Sequence, residues 1–190
     1  MNHEIRPTNW VALTVFIVAG YALIFAESRF TAFRDFTGTQ IGFVPGLMVY
    51  AALGFRLEIA LGCACLFGLL FDSLSANLLG TTFCSLAVIV LGASRFREYL
   101  LSEQFTTHWV LGLAASALAP GISVTILNMA GAEPLIGIGS LWHWALMTAG
   151  GGLVTPVWFK LFNRLDDASR YKEMPESAFR PDRQIARGRR

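Results

Sequence analysis

Long apolar runs alternate with short polar connectors along the whole chain. The runs extend approximately from Trp10 to Ala26, Ile41 to Phe55, Leu57 to Phe71, Leu78 to Ser94, His108 to Ala130 and Leu141 to Phe162. A helix rising about 1.5 Å per residue needs roughly 20 residues to cross hydrocarbon about 30 Å thick, and lipid offers unpaired backbone groups no partner. The pattern therefore predicts an all-α membrane protein of six transmembrane helices. The second and third runs are short and separated only by Arg56. Gly54 and the neighbouring charges Arg56 and Glu58 place a tight turn there, with one long helix and five crossings as the alternative. The first run is longer than a signal-peptide core of about 7–15 residues, and Phe25-Ala26-Glu27 lacks a small-residue cleavage pattern, so it is read as a helix.

Composition agrees with this reading, since 54% of the 190 residues are apolar and only 15% charged, which leaves no room for a separate soluble domain. The division expected is a six-helix transmembrane domain over 1–163 and a basic cytoplasmic tail over 164–190. The first part holds 7 basic and 8 acidic side chains, and the tail holds 8 and 5. Basic connectors are retained on the cytoplasmic side of a bilayer. With the amino terminus inside, that side receives Arg6, Arg56, Arg95, Arg97, Lys160, Arg164, Arg170, Lys172, Arg180, Arg183, Arg187, Arg189 and Arg190, against Arg29 and Arg34 outside. Both termini are accordingly expected in the cytoplasm.

Chemistry inside the runs is sparse. Proton and ion pathways need ionisable groups at depth, yet Glu58, Asp72 and Lys160 all fall near the ends of runs, as do His108 and His143. Cys63, Cys65 and Cys84 form no C-x-x-C and have no histidine near them, so they read as small packing residues, with no metal site or disulfide framework. No catalytic residue and no cofactor is expected; Ser140 and His143 are merely neighbours, outside any hydrolase pattern. Small residues and prolines are more prominent. Pro45-Gly46, Ala119-Pro120-Gly121, Gly150-Gly151-Gly152 and Pro156 interrupt the second, fifth and sixth runs. Ordinary close packing explains them, or they bend the helices around a groove.

Three connectors carry further signals. Residues 27–40 space Phe30, Phe33 and Phe36 three apart, as aromatic anchors of the membrane interface or as a docking surface. Residues 94–107 form a second amphipathic stretch, with Ser94 expected as its N-cap. The tail from Arg164 contains Pro175, Pro181 and a terminal basic run; it suits anionic lipid at about 1 kcal/mol per basic group, and is too short to argue for nucleic acid.

The most particular stretch is GLLFDSLSANLLG, residues 68–80. Asp72 ends an apolar helix and is followed by Ser73, Ser75 and Asn77, whose short side chains suit the start of a new helix. Gly68 and Gly80 would let the two helices approach closely. Asp72 itself reads as a capping carboxylate in a tight hairpin. This stretch, through Gly68, Leu69, Leu70, Asp72, Leu78, Leu79 and Gly80, resembles the motif of the rod shape-determining protein MreD family. Ala76-Asn77 departs from the glycine common there. Size, six-helix hydropathy, a basic cytoplasmic end and Pro156 extend the likeness over residues 8–165.

The resemblance implies a bacterial inner-membrane scaffold of the cell-wall elongation machinery, with no enzymatic activity. It would bind MreC and, through it, help join MreB filaments to RodA and its transpeptidase partner. It also implies a fold similar to the substrate-binding component of energy-coupling-factor transporters. The alternative is therefore a small-molecule (vitamin) binding subunit of such an importer, for which Ala22-x-x-x-Ala26 would be a contact spacing. Candidate partner-binding or structural residues are Gly68, Asp72, Gly80, Pro120 and Pro156.

Overall fold

The six apolar runs form six α-helices in the computed structural model, which describes residues 10–29, 42–75, 78–95, 105–131 and 137–171. They are α1 (Trp10–Arg29), α2 (Val44–Gly54), α3 (Leu57–Leu74), α4 (Thr81–Arg95), α5 (Phe105–Met129) and α6 (Ile138–Tyr171). No strand occurs among the described residues. Four helices, α1, α3, α5 and α6, are long and apolar enough to cross a membrane, which marks a membrane protein. The other two fall short of the six spans expected. α2 has 11 residues and α4 has 15, lengths of about 16 and 22 Å against hydrocarbon of about 30 Å.

The place of α2 accounts for its shortness. Helices α1, α3, α4, α5 and α6 form a closed ring in that order, and every one of them touches α2 at the centre. Residues Val44 through Ala52 of α2 are all buried. A helix walled by other helices is shielded from lipid along its length, so it need not be a full-length span to keep its backbone out of hydrocarbon. The outside of the ring is apolar as well: Val11, Val18 and Phe25 of α1, Leu118 of α5, and Leu153 and Val157 of α6 are exposed. A bundle with apolar side chains both within and without suits a lipid solvent.

The core is layered along the axis. Near the start of α1, Phe16 packs its ring against Tyr50, Phe55, Phe67 and Phe162 at centroid distances of 5.3–6.0 Å. Tyr50 adds Phe159 at 5.2 Å, and Phe159 stacks on His108 at 3.9 Å, so every helix but α4 contributes a ring to this aromatic layer. The middle layer is built of small residues. A side-chain carbon on Gly46 of α2 or Gly112 of α5 would run into Thr155 of α6, and one on Gly151 would run into Ser116. Contact of Gly46 with Thr155 and of Tyr50 with Phe159 and Phe162 makes α2 parallel to α6. Contact of Gly112 with Thr155 and of Gly121 with Trp144 makes α5 antiparallel to it.

Several local expectations are corrected by this geometry. Pro45 does not interrupt α2; it lies in the first turn, where a missing N–H costs nothing and the fixed φ favours the helix. Pro120 and Pro156 lie inside continuous helices, as do the three glycines 150–152. Ser94 is not an N-cap but belongs to the last turn of α4. α6 runs eight residues past the boundary drawn at 163, to Tyr171. The tight turn expected at Arg56 is present between α2 and α3, with Arg56 and Glu58 3.7 Å apart and well exposed, a pair worth well under about 1 kcal/mol.

Candidate functional site

The stretch 68–80 builds the turn between α3 and α4. Gly68 is buried where the two helices come closest. A Cβ there would collide with Cα of Phe83 and stand 2.6 Å from its nitrogen, so the obstacle is backbone. Four residues on, one helical turn, Asp72 is only 2% exposed. Its Oδ2 accepts the N–H of Gly80 at 2.8 Å, and both carboxylate oxygens share the N–H of Thr82 at 3.2 Å. They are the N–H groups of the residue preceding α4 and of its second residue, which have no partner within that helix. A carboxylate at a helix N-terminus also meets the positive end of the helix dipole. Gly80 holds φ at +96°, a conformation glycine adopts without steric cost, and this turns its N–H back toward Asp72.

Ser73 and Ser75 do not cap α4. Their hydroxyls donate to the carbonyls of Leu70 and Asp72 at 2.8 and 3.5 Å, closing the end of α3, and Asn77 lies outside the described residues. Replacing Asp72 with alanine is expected to lower stability by about 0.5–2 kcal/mol, the usual value of an N-cap. Asparagine, which keeps one acceptor, should recover part of that loss. Thermal unfolding of the detergent-solubilised protein would check the order wild type, Asp72→Asn, Asp72→Ala.

A second buried acidic residue links the preceding pair of helices. Glu27, at the end of α1, is 8% exposed and accepts a backbone hydrogen bond from Phe43, the residue preceding α2. The side chain that ends α1 thus ties α1 to the residue preceding α2 through one N–H, a lesser contact than the two N–H groups that Asp72 holds at the start of α4. Sequence reasoning missed Glu27, because it follows the apolar run directly and reads as the first connector residue. The signal was present in the buried stripe Leu13, Phe16, Gly20, Ile24, Glu27, whose steps of three and four keep Glu27 on the inner face.

The two remaining candidates lie elsewhere. Pro120 and Pro156 occupy the middles of α5 and α6 and release the carbonyls of Ser116 and Gly152, four residues before each. Near the first of these, Trp144 Nε1 donates to the carbonyl of Ala117 at 2.8 Å, tying α6 to α5. Pro156 is buried next to Thr155, whose hydroxyl donates to Gly151 at 2.8 Å. Gly68, Asp72 and Gly80 are therefore brought together at one turn, while Pro120 and Pro156 lie apart from it, within α5 and α6. Phe30, Phe33 and Phe36 lie outside the described residues.

An open cleft of about 260 Å³ lies between α1, α2 and α6, lined by Val11, Ala12, Val15, Tyr50, Phe55, Phe162 and Leu165. It is at the aromatic end of the bundle, formed by residues near the start of α1, the end of α2 and the later part of α6. The groove expected from bends at Pro45, Pro120 and Pro156 would lie elsewhere, since none of those residues lines this cleft. Comparison of the chain with protein-family models, with curated proteins and with solved structures finds no match.

Proposed function

We propose that this chain is an MreD-type scaffold of the bacterial inner membrane, without enzymatic activity, that binds MreC and supports lateral peptidoglycan synthesis and rod shape. Through MreC it would act with MreB, RodA and the transpeptidase partner. The supporting observation is the hairpin of α3 and α4. Each distinctive residue of the motif has a separate mechanical task there: Gly68 admits the backbone of Phe83, Asp72 caps α4, and Gly80 supplies the turn. A motif with this function preserves the shape of a surface instead of performing chemistry. The exposed side chains Leu74, Leu78 and Leu79 beside the turn offer that surface to a partner.

In this reading all six helices cross the bilayer, in a fold similar to the substrate-binding component of energy-coupling-factor transporters. The ring shelters α2, and the turn through Gly80 extends α4. The basic side chains Arg56, Arg95, Lys160 and Arg164 mark the cytoplasmic face with both termini, and the α3–α4 turn faces outward. On α6, Trp142 and Lys160 are 18 positions apart, or about 27 Å. That separation matches an aromatic anchor at one interface and a cation at the other. The cytoplasmic tail, 164–190, whose first eight residues continue α6, would rest on anionic lipid.

The test is capture of MreC from membranes together with rescue of cell shape in a strain depleted of the protein. Leu74→Gln with Leu79→Gln alters the turn's surface and leaves Asp72 and Gly68 in place. Loss of capture and rounded cells are expected. Capture at the wild-type level with rods restored would rule this surface out.

A further inference from the structure

We infer that the cleft between α1, α2 and α6 holds one acyl chain of an anionic phospholipid, with its headgroup taken by Arg56 and Arg164. The lining is entirely aliphatic or aromatic apart from the phenol oxygen of Tyr50, so whatever occupies it is an apolar group. Size narrows the choice. At about 260 Å³ the space is smaller than the roughly 300–1,000 Å³ usual for small-molecule sites, and a helix about 10–12 Å across would not enter it. A single flexible hydrocarbon chain is slim enough.

Charge at the mouth selects the headgroup. Phe55 and Leu165 line the cleft, and each has an exposed arginine as its chain neighbour, Arg56 and Arg164. Arg56 is bridged to Glu58 only across 3.7 Å in an exposed pair, which leaves its guanidinium available to a phosphate. Trp10, 74% exposed immediately before Val11, is of the residue type that settles at headgroup level. The mouth therefore lies where glycerol and phosphate meet the chains, and a lipid can send one chain into the cleft with its phosphate beside the arginines. This inference holds whether or not MreC is the partner, because it needs only the membrane setting.

Native mass spectrometry of the full chain in mild detergent would test it, using phosphatidylglycerol and phosphatidylcholine of identical chains. Wild type should retain one phosphatidylglycerol, favoured over phosphatidylcholine by roughly 30-fold, the value of two basic groups at a membrane surface. Arg56→Gln with Arg164→Gln should abolish that preference; neither residue is buried, so folding is not at issue. Ala12→Phe, which fills the cleft from α1, should remove the retained lipid, whereas Leu118→Phe on the outer face of α5 should not. A wild type that retains no lipid, an Ala12→Phe protein that retains as much as wild type, or a preference that survives the double arginine change overturns the proposal. Release of lipid by both phenylalanine changes alike would do so too, since it would mean lipid held around the whole bundle.

Discussion

Gly68→Ala is expected to cost about 3 kcal/mol, at the upper end of what an added methyl group costs in a packed interior. The reason is the nature of the obstacle. The new carbon would meet Cα, N and Cβ of Phe83, and no rotamer change removes a backbone. α3 and α4 must separate, which also draws the Asp72 carboxylate away from the N–H groups of Gly80 and Thr82. For a chain of this size, 3 kcal/mol corresponds to a fall of about 6–12 °C in Tm, measurable by thermal scanning in detergent. A change of under about 2 °C would mean that the helices have slack at this point. By contrast, Gly62→Ala on the same helix, where a Cβ meets nothing within 4 Å, should be neutral or mildly stabilising through helix propensity.

The second large effect is a rescue that works at one glycine and fails at another. Gly46→Ala and Gly112→Ala each drive a methyl group into Thr155, and each should cost about 2–3 kcal/mol. The atoms they meet differ. For Gly46 the collision is with Oγ1 of Thr155, while its Cβ stands 3.4 Å away; for Gly112 the Cβ itself is 2.5 Å away. Thr155→Ala removes Oγ1 and keeps Cβ. It should therefore restore most of the stability of Gly46→Ala and little of that of Gly112→Ala. A double-mutant cycle in detergent, with a coupling energy of about 1–2 kcal/mol at the first pair and near zero at the second, is the expected reading. Equal rescue at both positions would show that the backbones of α5 and α6 yield to the remaining contact between the new methyl group at Gly112 and Cβ of residue 155.

The helices themselves were legible because each is an apolar run ended by glycine or polar residues, and the turn at Arg56 could be placed from Gly54 and the charges of Arg56 and Glu58. The hairpin cap was also legible, since Asp72 sits between two apolar helices with few other roles open to it. The arrangement of the helices was not. In a soluble protein the polar face of a helix marks what is outside, but here the ring exposes Val18 and Leu153 while α2 buries Leu47 and Val49, and lipid and core ask for the same side chains. Nothing in the composition of α2 distinguishes a helix at the axis from one at the rim. Its shortness and Gly46 were the available clues. Glu27 was missed for a related reason: hydropathy ended the first helix at Ala26, whereas the backbone continues as helix to Arg29.

The encircled position of α2 bears on biogenesis. Ribosomes deliver this helix early, yet Thr155, Phe159 and Phe162, against which it rests, are among the last residues of the bundle to be synthesised. Until α6 leaves the translocon, the 11-residue segment lacks a finished enclosure and is too short to dwell alone in hydrocarbon. If all six helices cross the bilayer, as proposed, the nascent chain would have to keep it beside the insertion machinery or pressed against α3 until the final helix closes the circle.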